Sequence, residues 1–406
     1  MDFDDTPAEA EFRAEARTWL EAHAKPKDPT AVGHGGQPVA RSEAEINHVR
    51  EAQAWQATLY ENGWAGITWP KQYGGRGGTS LQQMIFNQEL SKFDAAPGVF
   101  AQGIGMAGPT LIAHGTPEQK ERFLGPMLRG DELWCQLFSE PGAGSDLAAL
   151  STKAVRDGEE WIVNGQKVWT SSAHYADWGI LLTRTDVDAP KHQGITYFLV
   201  DMRTPGIDVR PLKQITGIAH FSEVFFTDVR IPAANLVGDV NRGWGVTMTT
   251  LTSERTLIGG NAAITSKDIV DLVTRSGRAD DPVVRQDAAS IVTQLEILKY
   301  MGLRVQTSIS QGTAAGSVSS VLKLGYTRLQ AQMNDFTVAL AGAAGMLSSD
   351  DDPATARRTA QFLGQWSSRI GGGTDQVQRN IVGERILGLP SDPRVDKDVA
   401  FRDIPR

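Results

Sequence analysis

The residues of this chain best suited to chemistry are carboxylates and hydroxyls set beside glycine. At Ile370-Gly371-Gly372-Gly373-Thr374-Asp375-Gln376-Val377-Gln378-Arg379, three glycines run into side chains rich in hydrogen-bonding groups. Backbone without Cβ atoms approaches a ligand closely, so its N–H groups suit an anion or a cofactor. Phe138-Ser139-Glu140-Pro141-Gly142-Ala143-Gly144-Ser145-Asp146 has the same character. Its proline fixes one turn, its glycines admit close approach, and Ser145 with the neighbouring amides can donate to an oxygen anion. A tight connection between two elements would use the same residue types. Gly103-Ile104-Gly105-Met106-Ala107-Gly108 matches the G-x-G-x-x-G dinucleotide fingerprint. No strand pattern precedes it and Pro109 follows, so a closely packed helix or cavity wall is expected instead.

Glu254 differs in kind. On a helix, Leu251, Leu257 and Ile258 stand three or four residues from it, so the acid projects into an apolar stripe. Desolvation in such a stripe favours the protonated carboxyl, which is how a general base is tuned toward neutral pH. Arg255 is adjacent, and side chains one residue apart diverge on a helix, so it is a poor ion-pair partner. The alternative is an ordinary surface glutamate on a moderately amphipathic helix.

The elements that must position these groups fall into three stretches. Residues 1–131 read as helical: Thr6-Pro7-Ala8-Glu9 offers an N-cap, Pro at N1 and a capping-box Glu, and Phe12, Ala16, Trp19 and Leu20 follow at helical spacing. Ser42-Glu43-Ala44-Glu45 and Thr116-Pro117-Glu118-Gln119 repeat the capping logic, and the Gly/Pro-rich stretch Trp69–Gly78 reads as a loop. Residues 132–238 read as strands. Glu160–Val163 and Gln166–Trp169 flank Asn164-Gly165, the strongest short hairpin signal, and Gly179–Thr183, Ile195–Val200 and Val224–Phe226 add β-rich runs. Residues 239–406 return to the helical period, with Asp350-Asp351-Asp352-Pro353 as a loop. The expected fold class is α+β: an N-terminal all-α domain, a middle antiparallel β-barrel-like domain and a C-terminal four-helix bundle.

Bulk composition narrows the function classes. With 406 residues, a net charge of −8 and a pI near 5.5, nothing suggests a nucleic-acid partner. No apolar run reaches the ~18 residues of a membrane span. The start, Met1-Asp2-Phe3-Asp4-Asp5, lacks the basic character of a signal or transit peptide. Cys135 is the only cysteine and the seven histidines show no ligand spacing, so neither a disulfide nor a structural metal is expected. A cytoplasmic location follows from these traits as an expectation.

Several blocks together resemble the acyl-CoA dehydrogenase family. Phe138–Asp146 is similar to its signature Thr-Glu-Pro-x-x-Gly-Ser-Asp, with Ser139 where Thr is common. Gly63-Trp64-Ala65-Gly66 with Trp69-Pro70 and Tyr73-Gly74-Gly75 resembles the family's N-terminal stretch. Asn164–Ser171 resembles its flavin-covering hairpin, and Arg379–Gly388 its closing helix. The resemblance implies FAD as cofactor, an acyl-CoA thioester as substrate, and an electron-transfer flavoprotein as oxidant. It implies flavin contacts at Phe138, Ser139, Gly144, Ser145, Trp169, Thr170, Ser171, Thr374 and Gln376, and substrate contacts at Ser145, Arg255 and Gly372. The family's reaction removes an α-proton while the β-hydrogen leaves as hydride to flavin N5, giving a trans-2-enoyl-CoA.

Many members carry the catalytic Glu at the position of Gly372. Isovaleryl- and long-chain-type members place it early in the C-terminal domain, where Glu254 stands. A glycine at 372 also leaves room for a branched or ring-bearing acyl group. Two family features on cross-subunit flavin contacts are missing: Arg-x-x-Phe-Gly within 275–286, and a Gln and one Gly of Gln-x-x-Gly-Gly-x-Gly at Ala339–Gly345. Their loss points to a homo-oligomer or a heterotetramer with a related chain, as in some bacterial sterol-degrading relatives. A same-fold flavin oxidase or eliminating enzyme, or a non-catalytic subunit, would be the rival reading.

Overall fold

The structure, a computed structural model, describes residues 5–27, 42–95, 99–259, 264–310, 318–347 and 352–404. The first helices start where the capping chemistry demands. Helix α1 (Pro7–His23) opens on Thr6, whose hydroxyl accepts from the Glu9 N–H while the Glu9 carboxylate accepts from the Thr6 N–H at 2.7 Å. It buries Phe12, Ala16 and Leu20, whereas Trp19 is only partly buried and stacks on His23, one turn on. A short strand β1 (Lys25–Pro26) follows. In α2 (Glu43–Glu61) Ser42 caps the helix, but the expected box partner Glu45 reaches His174 instead, at 2.8 Å. Then come α3 (Ser80–Leu90), β2 (Phe93–Asp94), α4 (Gly108–His114) and α5 (Pro117–Arg129). The box at Thr116 and Gln119 opens α5 as its spacing predicts.

The G-x-G-x-x-G segment forms a π-helical turn, Gly103–Ala107, running directly into α4. A Cβ on Gly103 would lie 3.2 Å from Trp134, and one on Gly108 would overlap the Trp69 ring. These glycines serve packing, not phosphate binding.

The middle of the chain builds one eight-stranded sheet: β3 (Trp134–Leu137), β4 (Lys153–Asp157), β5 (Glu160–Ser171), β6 (Trp178–Arg184), β7 (Ile195–Asp201), β8 (Ile207–Leu212), β9 (Phe221–Pro232) and β10 (Leu236–Val237). The order is β10-β7-β6-β4-β5-β9-β8, with β3 parallel to β6 and the longer pairings antiparallel. Trp161, Val163, Leu181, Phe198, Val224 and Ile231 lie in its core.

One turn is misplaced by sequence reasoning. Asn164-Gly165 does not close a hairpin: β5 runs straight through it, and the β4–β5 turn sits at Gly158-Glu159 instead. The reason is tertiary. Gly165 lies against Thr152, where a Cβ would come within 2.7 Å of the Thr152 Cα. Asn164 exchanges hydrogen bonds with Asp228 across a bulge. The residues that favour a hairpin turn here favour an irregular strand.

Helices α6 (Gly243–Gly259), α7 (Ser266–Arg275), α8 (Pro282–Ser310), α9 (Val318–Leu340), α10 (Pro353–Ile370) and α11 (Asp375–Ile381) complete the chain. Helix α9 packs against α8, α10 and α11 around Ile269, Ile291, Leu295, Leu329 and Phe336. In the expected loop before α10, Asp352 caps the helix, while Asp350 and Asp351 lie outside the described residues.

Two compact units result. One comprises Met1–Gly36, Thr79–Ala95 and Arg255–Ser391; the other comprises Gln37–Gly78, Ala96–Glu254 and Asp392–Arg406. In the first, Glu89 of α3 is nearly inaccessible and pairs with Arg13 and Arg17 of α1 and with Lys92. Burial pushes its carboxyl up, but these three cations outweigh it and hold the group at about 2. Among the described residues no helix is long and apolar enough to cross a membrane.

Candidate active site

Strand β3 delivers Phe138 and Ser139 to the start of the glycine-bearing loop. Two mutual backbone bonds between Glu140 and Ala143, both 3.0 Å, close its first turn. Glu140 is 7% exposed, and its carboxylate accepts from Ser151 N and Oγ, from Thr152 N and from Lys167 Nζ at 2.8 Å. Burial pushes this carboxyl up, yet the Lys167 charge and the hydrogen bonds prevail and bring it to about 2. Lys167, on β5, also donates to the Phe138 carbonyl at 3.0 Å, and Val168 N donates to the Ser139 carbonyl at 2.9 Å. The base of the loop is therefore fixed to the sheet. Its tip is open: Gly142, Gly144, Ser145 and Asp146 are exposed, and a Cβ on either glycine would meet nothing within 4 Å. Internal packing does not require glycine there, so these positions suit the approach of something external.

On β5 the ladder with β9 slips between Lys167 and Thr170, placing Val168 and Trp169 opposite Glu223 alone. Trp169 adopts φ 60° and Ser172 φ 64°, a left-handed backbone that costs roughly 1–3 kcal/mol per non-glycine residue. The bulge turns the indole out of the sheet. Trp169 is 60% exposed, with Phe221 edge-on at 5.8 Å. Thr170 is fully buried and its hydroxyl has no hydrogen-bond partner among the described residues, while Ser171 is half-buried. An exposed aromatic face held by strained backbone, in the same unit as an open-tipped glycine loop, fits a planar cofactor carrying phosphate.

Helix α6 meets β3 and β7 through polar contacts. Thr250, fully buried, bonds Thr110 of α4 at 2.9 Å and the Tyr197 hydroxyl of β7 at 3.2 Å. Tyr197 lies edge-on to Phe138 at 5.9 Å, and burial drives its phenol well above the usual range. Thr249 bonds His114 at 2.8 Å. One turn on, Gln136 of β3 donates its side-chain amide to the half-buried Glu254 carboxylate at 3.3 Å. Leu251 and Leu257 are half-buried, as is Arg255; the Ile258 side chain lies outside the described residues.

The triple-glycine turn belongs to the other unit. Gly372 and Gly373 have φ 63° and 83°, so a side chain at either would sit in strained left-handed backbone. Gln378 donates to the Gly372 carbonyl at 2.9 Å, and buried Lys323 donates to the Gly373 carbonyl at 2.7 Å. Asp375, 3% exposed, accepts from Arg369 at 3.0 Å and from Thr327 at 3.2 Å. Burial acts against ionisation of this carboxyl, but Arg369, Thr327 and Lys323 hold it below its ordinary value. The Thr374 hydroxyl accepts from Val377 N as cap of α11, and Gln376 is exposed.

Phe138, Ser139, Gly144, Ser145, Trp169, Thr170, Ser171 and Glu254 thus share one unit, and Arg255, Gly372, Thr374 and Gln376 the other. Sequence reasoning missed Gln136, Lys167, Tyr197, Asp375 and Gln378. Alternation along β3 and β7 marks Gln136 and Tyr197 only as strand residues, and a buried Lys has no local signature.

The chain is similar to known proteins along most of its length. The sequence matches the acyl-CoA dehydrogenase N-terminal domain over residues 6–131, the middle domain over 135–229 and the C-terminal domain over 241–387. It is 38% identical to the acyl-CoA dehydrogenase IpdE1 of Mycobacterium tuberculosis (strain ATCC 25618 / H37Rv), over 95% of this chain and 98% of that one. With the acyl-CoA dehydrogenase FadE34 of the same organism it is 41% identical, over 87% of this chain and 48% of that longer protein. Among solved structures it resembles the Tcur3481-Tcur3483 steroid ACAD, with TM-score 0.81 and 28% identity over 97% of this chain and all of that one. The ChsE4-ChsE5 complex from Mycobacterium tuberculosis gives TM-score 0.77 and 30% identity, over 96% and 100% of the two chains.

Proposed function

This chain belongs to the acyl-CoA dehydrogenase family and is an FAD-dependent oxidoreductase of acyl-CoA thioesters; we propose that Glu254 is its base and that its acyl group is branched or ring-bearing. FAD, when bound, supplies the acceptor for the electron pair that leaves with the β-hydrogen. Ser145 and the Trp169 indole hold the cofactor, a reading supported by the open loop tip and the exposed bulge, and Phe138 and Ser139 join them on the resemblance of their loop to the family signature. Thr374 and Gln376 are further proposed flavin contacts on the strength of the family resemblance alone.

The observation that carries the assignment of the base is the Glu254 carboxylate, half-buried on α6 and held by the Gln136 amide at 3.3 Å. The signature position, Gly372, offers no carboxylate, and its φ of 63° disfavours one. Glu254 takes the α-proton onto a carboxylate oxygen, and Gln136 keeps that carboxylate oriented toward β3 as charge is neutralised. Arg255 orients the thioester substrate. In Glu254→Gln, flavin should remain bound with its yellow spectrum intact, and turnover should fall by about 10²–10⁴, the usual worth of a general base. Near-normal turnover in that variant would overturn the assignment.

Gly372 and the similarity to a steroid ACAD support a wide acyl group. Anaerobic bleaching of bound flavin across linear, branched and steroid-linked acyl-CoAs tests this, and a preference for linear chains would count against it. The expected oxidant is an electron-transfer flavoprotein, with the protein in the cytoplasm. Oxygen consumption without an added acceptor would point to an oxidase instead. For assembly, the ChsE4-ChsE5 complex and an apolar stripe on α10 support an oligomer, homomeric or with a related chain.

A further inference from the structure

Residues 392–404 lie beyond the stretch matched to the family's C-terminal domain, which ends at 387, yet they fold onto the middle sheet. Phe401 N donates to the Ala189 carbonyl and Arg402 N to the Val187 carbonyl, both at 3.0 Å, so this segment lies along the β6–β7 connection. Phe401 is 4% exposed, and the Arg184 guanidinium stacks on its ring at 3.9 Å. Arg184, buried at the end of β6, donates to the carbonyls of Ala148 at 2.6 Å and Lys191 at 2.8 Å. The Lys191 ammonium, 2% exposed, pairs with Asp396 of the segment and with Asp146 at 2.7 Å. Asp146 and Ala148 are the far end of the loop whose near end is fixed by Glu140 and Lys167.

We propose that residues 392–404 form a strap that positions the Gly142–Asp146 loop against a phosphate group of its ligand, with Arg184 and Lys191 as positioning residues. The proposal rests on the reading that this loop binds phosphate. Two physical effects carry it. Phe401 covers one face of a guanidinium whose other bonds hold the chain just past the loop, so the strap limits the loop's freedom and the entropy lost on binding. Lys191 sets a positive charge beside the exposed Asp146 carboxylate, and Arg394, 3.8 Å from Asp396, balances the second carboxylate on that ammonium, so the cluster presents no net negative charge to an arriving anion. The strap is attached through Asp396 to the same ammonium.

The phosphate belongs either to FAD or to CoA, and the test separates them. In Phe401→Ala, with Phe401→Leu as conservative control, three quantities are measured: FAD affinity by reconstitution of the apoprotein, KM for an acyl-CoA, and KM for the matching acyl-pantetheine, which has no phosphate. Weakening by about fivefold or more, the equivalent of roughly one hydrogen bond, is expected for one phosphate ligand in Phe401→Ala, with kcat changed less than about twofold. The leucine variant should recover most of it. A rise in KM for acyl-CoA but not for acyl-pantetheine assigns CoA; weaker FAD binding assigns the flavin. Unchanged affinity for both in a folded Phe401→Ala variant, or a fall in kcat alone, overturns the strap. Ser145→Ala is the control for the underlying reading: if it too leaves both ligands unaffected, the loop itself does not bind phosphate.

Discussion

Glu140 sits at the base of the glycine loop, and its four donors come from the backbone and hydroxyl of Ser151, the backbone of Thr152 and the side chain of Lys167. Lys167 has no exposed surface, so removing the carboxylate strands a buried ammonium. Glu140→Gln should lower unfolding free energy by roughly 3–5 kcal/mol, the cost of breaking a buried ion pair, measurable by denaturant titration. The same pair sets an acid limb. The Glu140 carboxyl is near 4.5 unfolded and about 2 folded, so its contribution is fully present above pH ~4.5 and disappears as pH falls toward 2. Stability of Glu140→Gln should therefore fall less steeply across that window than that of the unaltered protein. At the sequence level Glu140 reads only as part of a loop motif, because nothing local shows that its partner lies twenty-seven residues away on another strand.

Between β5 and β9 the decisive feature is an irregularity. A regular ladder would give Trp169 an ordinary strand conformation; the two-against-one register instead exposes 60% of it. The composition of Asn164–Ser171 reveals a special backbone but not its type, since the Asn-Gly that favours a hairpin turn is also accommodated in a bulge. The G-x-G-x-x-G segment makes the complementary point. It matches a phosphate motif in letters, while Gly108 is packed under Trp69 and Gly103 under Trp134. Gly108→Ala should therefore destabilise by about 1–3 kcal/mol through overpacking, seen as a lower Tm, with FAD affinity of the folded fraction unaltered. Loss of FAD binding at full stability would contradict the packing role.

For the molecule as a whole, the proposed assembly can be tested on an apolar stripe of the helical unit. Phe362, Trp366 and Ile370 recur every four residues along α10 with 36%, 56% and 65% of their surface exposed. Apolar side chains aligned on one helix face suit burial against a partner surface. Trp366→Glu should shift the protein toward monomer in light scattering, leaving helical content unchanged. An unaltered mass would exclude α10 from the interface. The two polar networks that organise the units, around Glu89 in one and Glu140 in the other, are both carboxylates depressed to about 2, so both units lose stability on the same acid limb.

Capping boxes and hydrophobic period are local properties, so the succession of helices, strands and helices is legible in the residues alone. Residue identity at fixed places in a motif also carries the family resemblance and, with it, the proposal of Glu254 as base in place of Gly372. Folding alone makes Asn164-Gly165 a bulge, brings Gln136 to within a hydrogen bond of Glu254, and carries Phe401 and Asp396 to Arg184 and Lys191. Each of these joins residues far apart in the chain, and a side chain carries no record of a partner that only folding brings within reach.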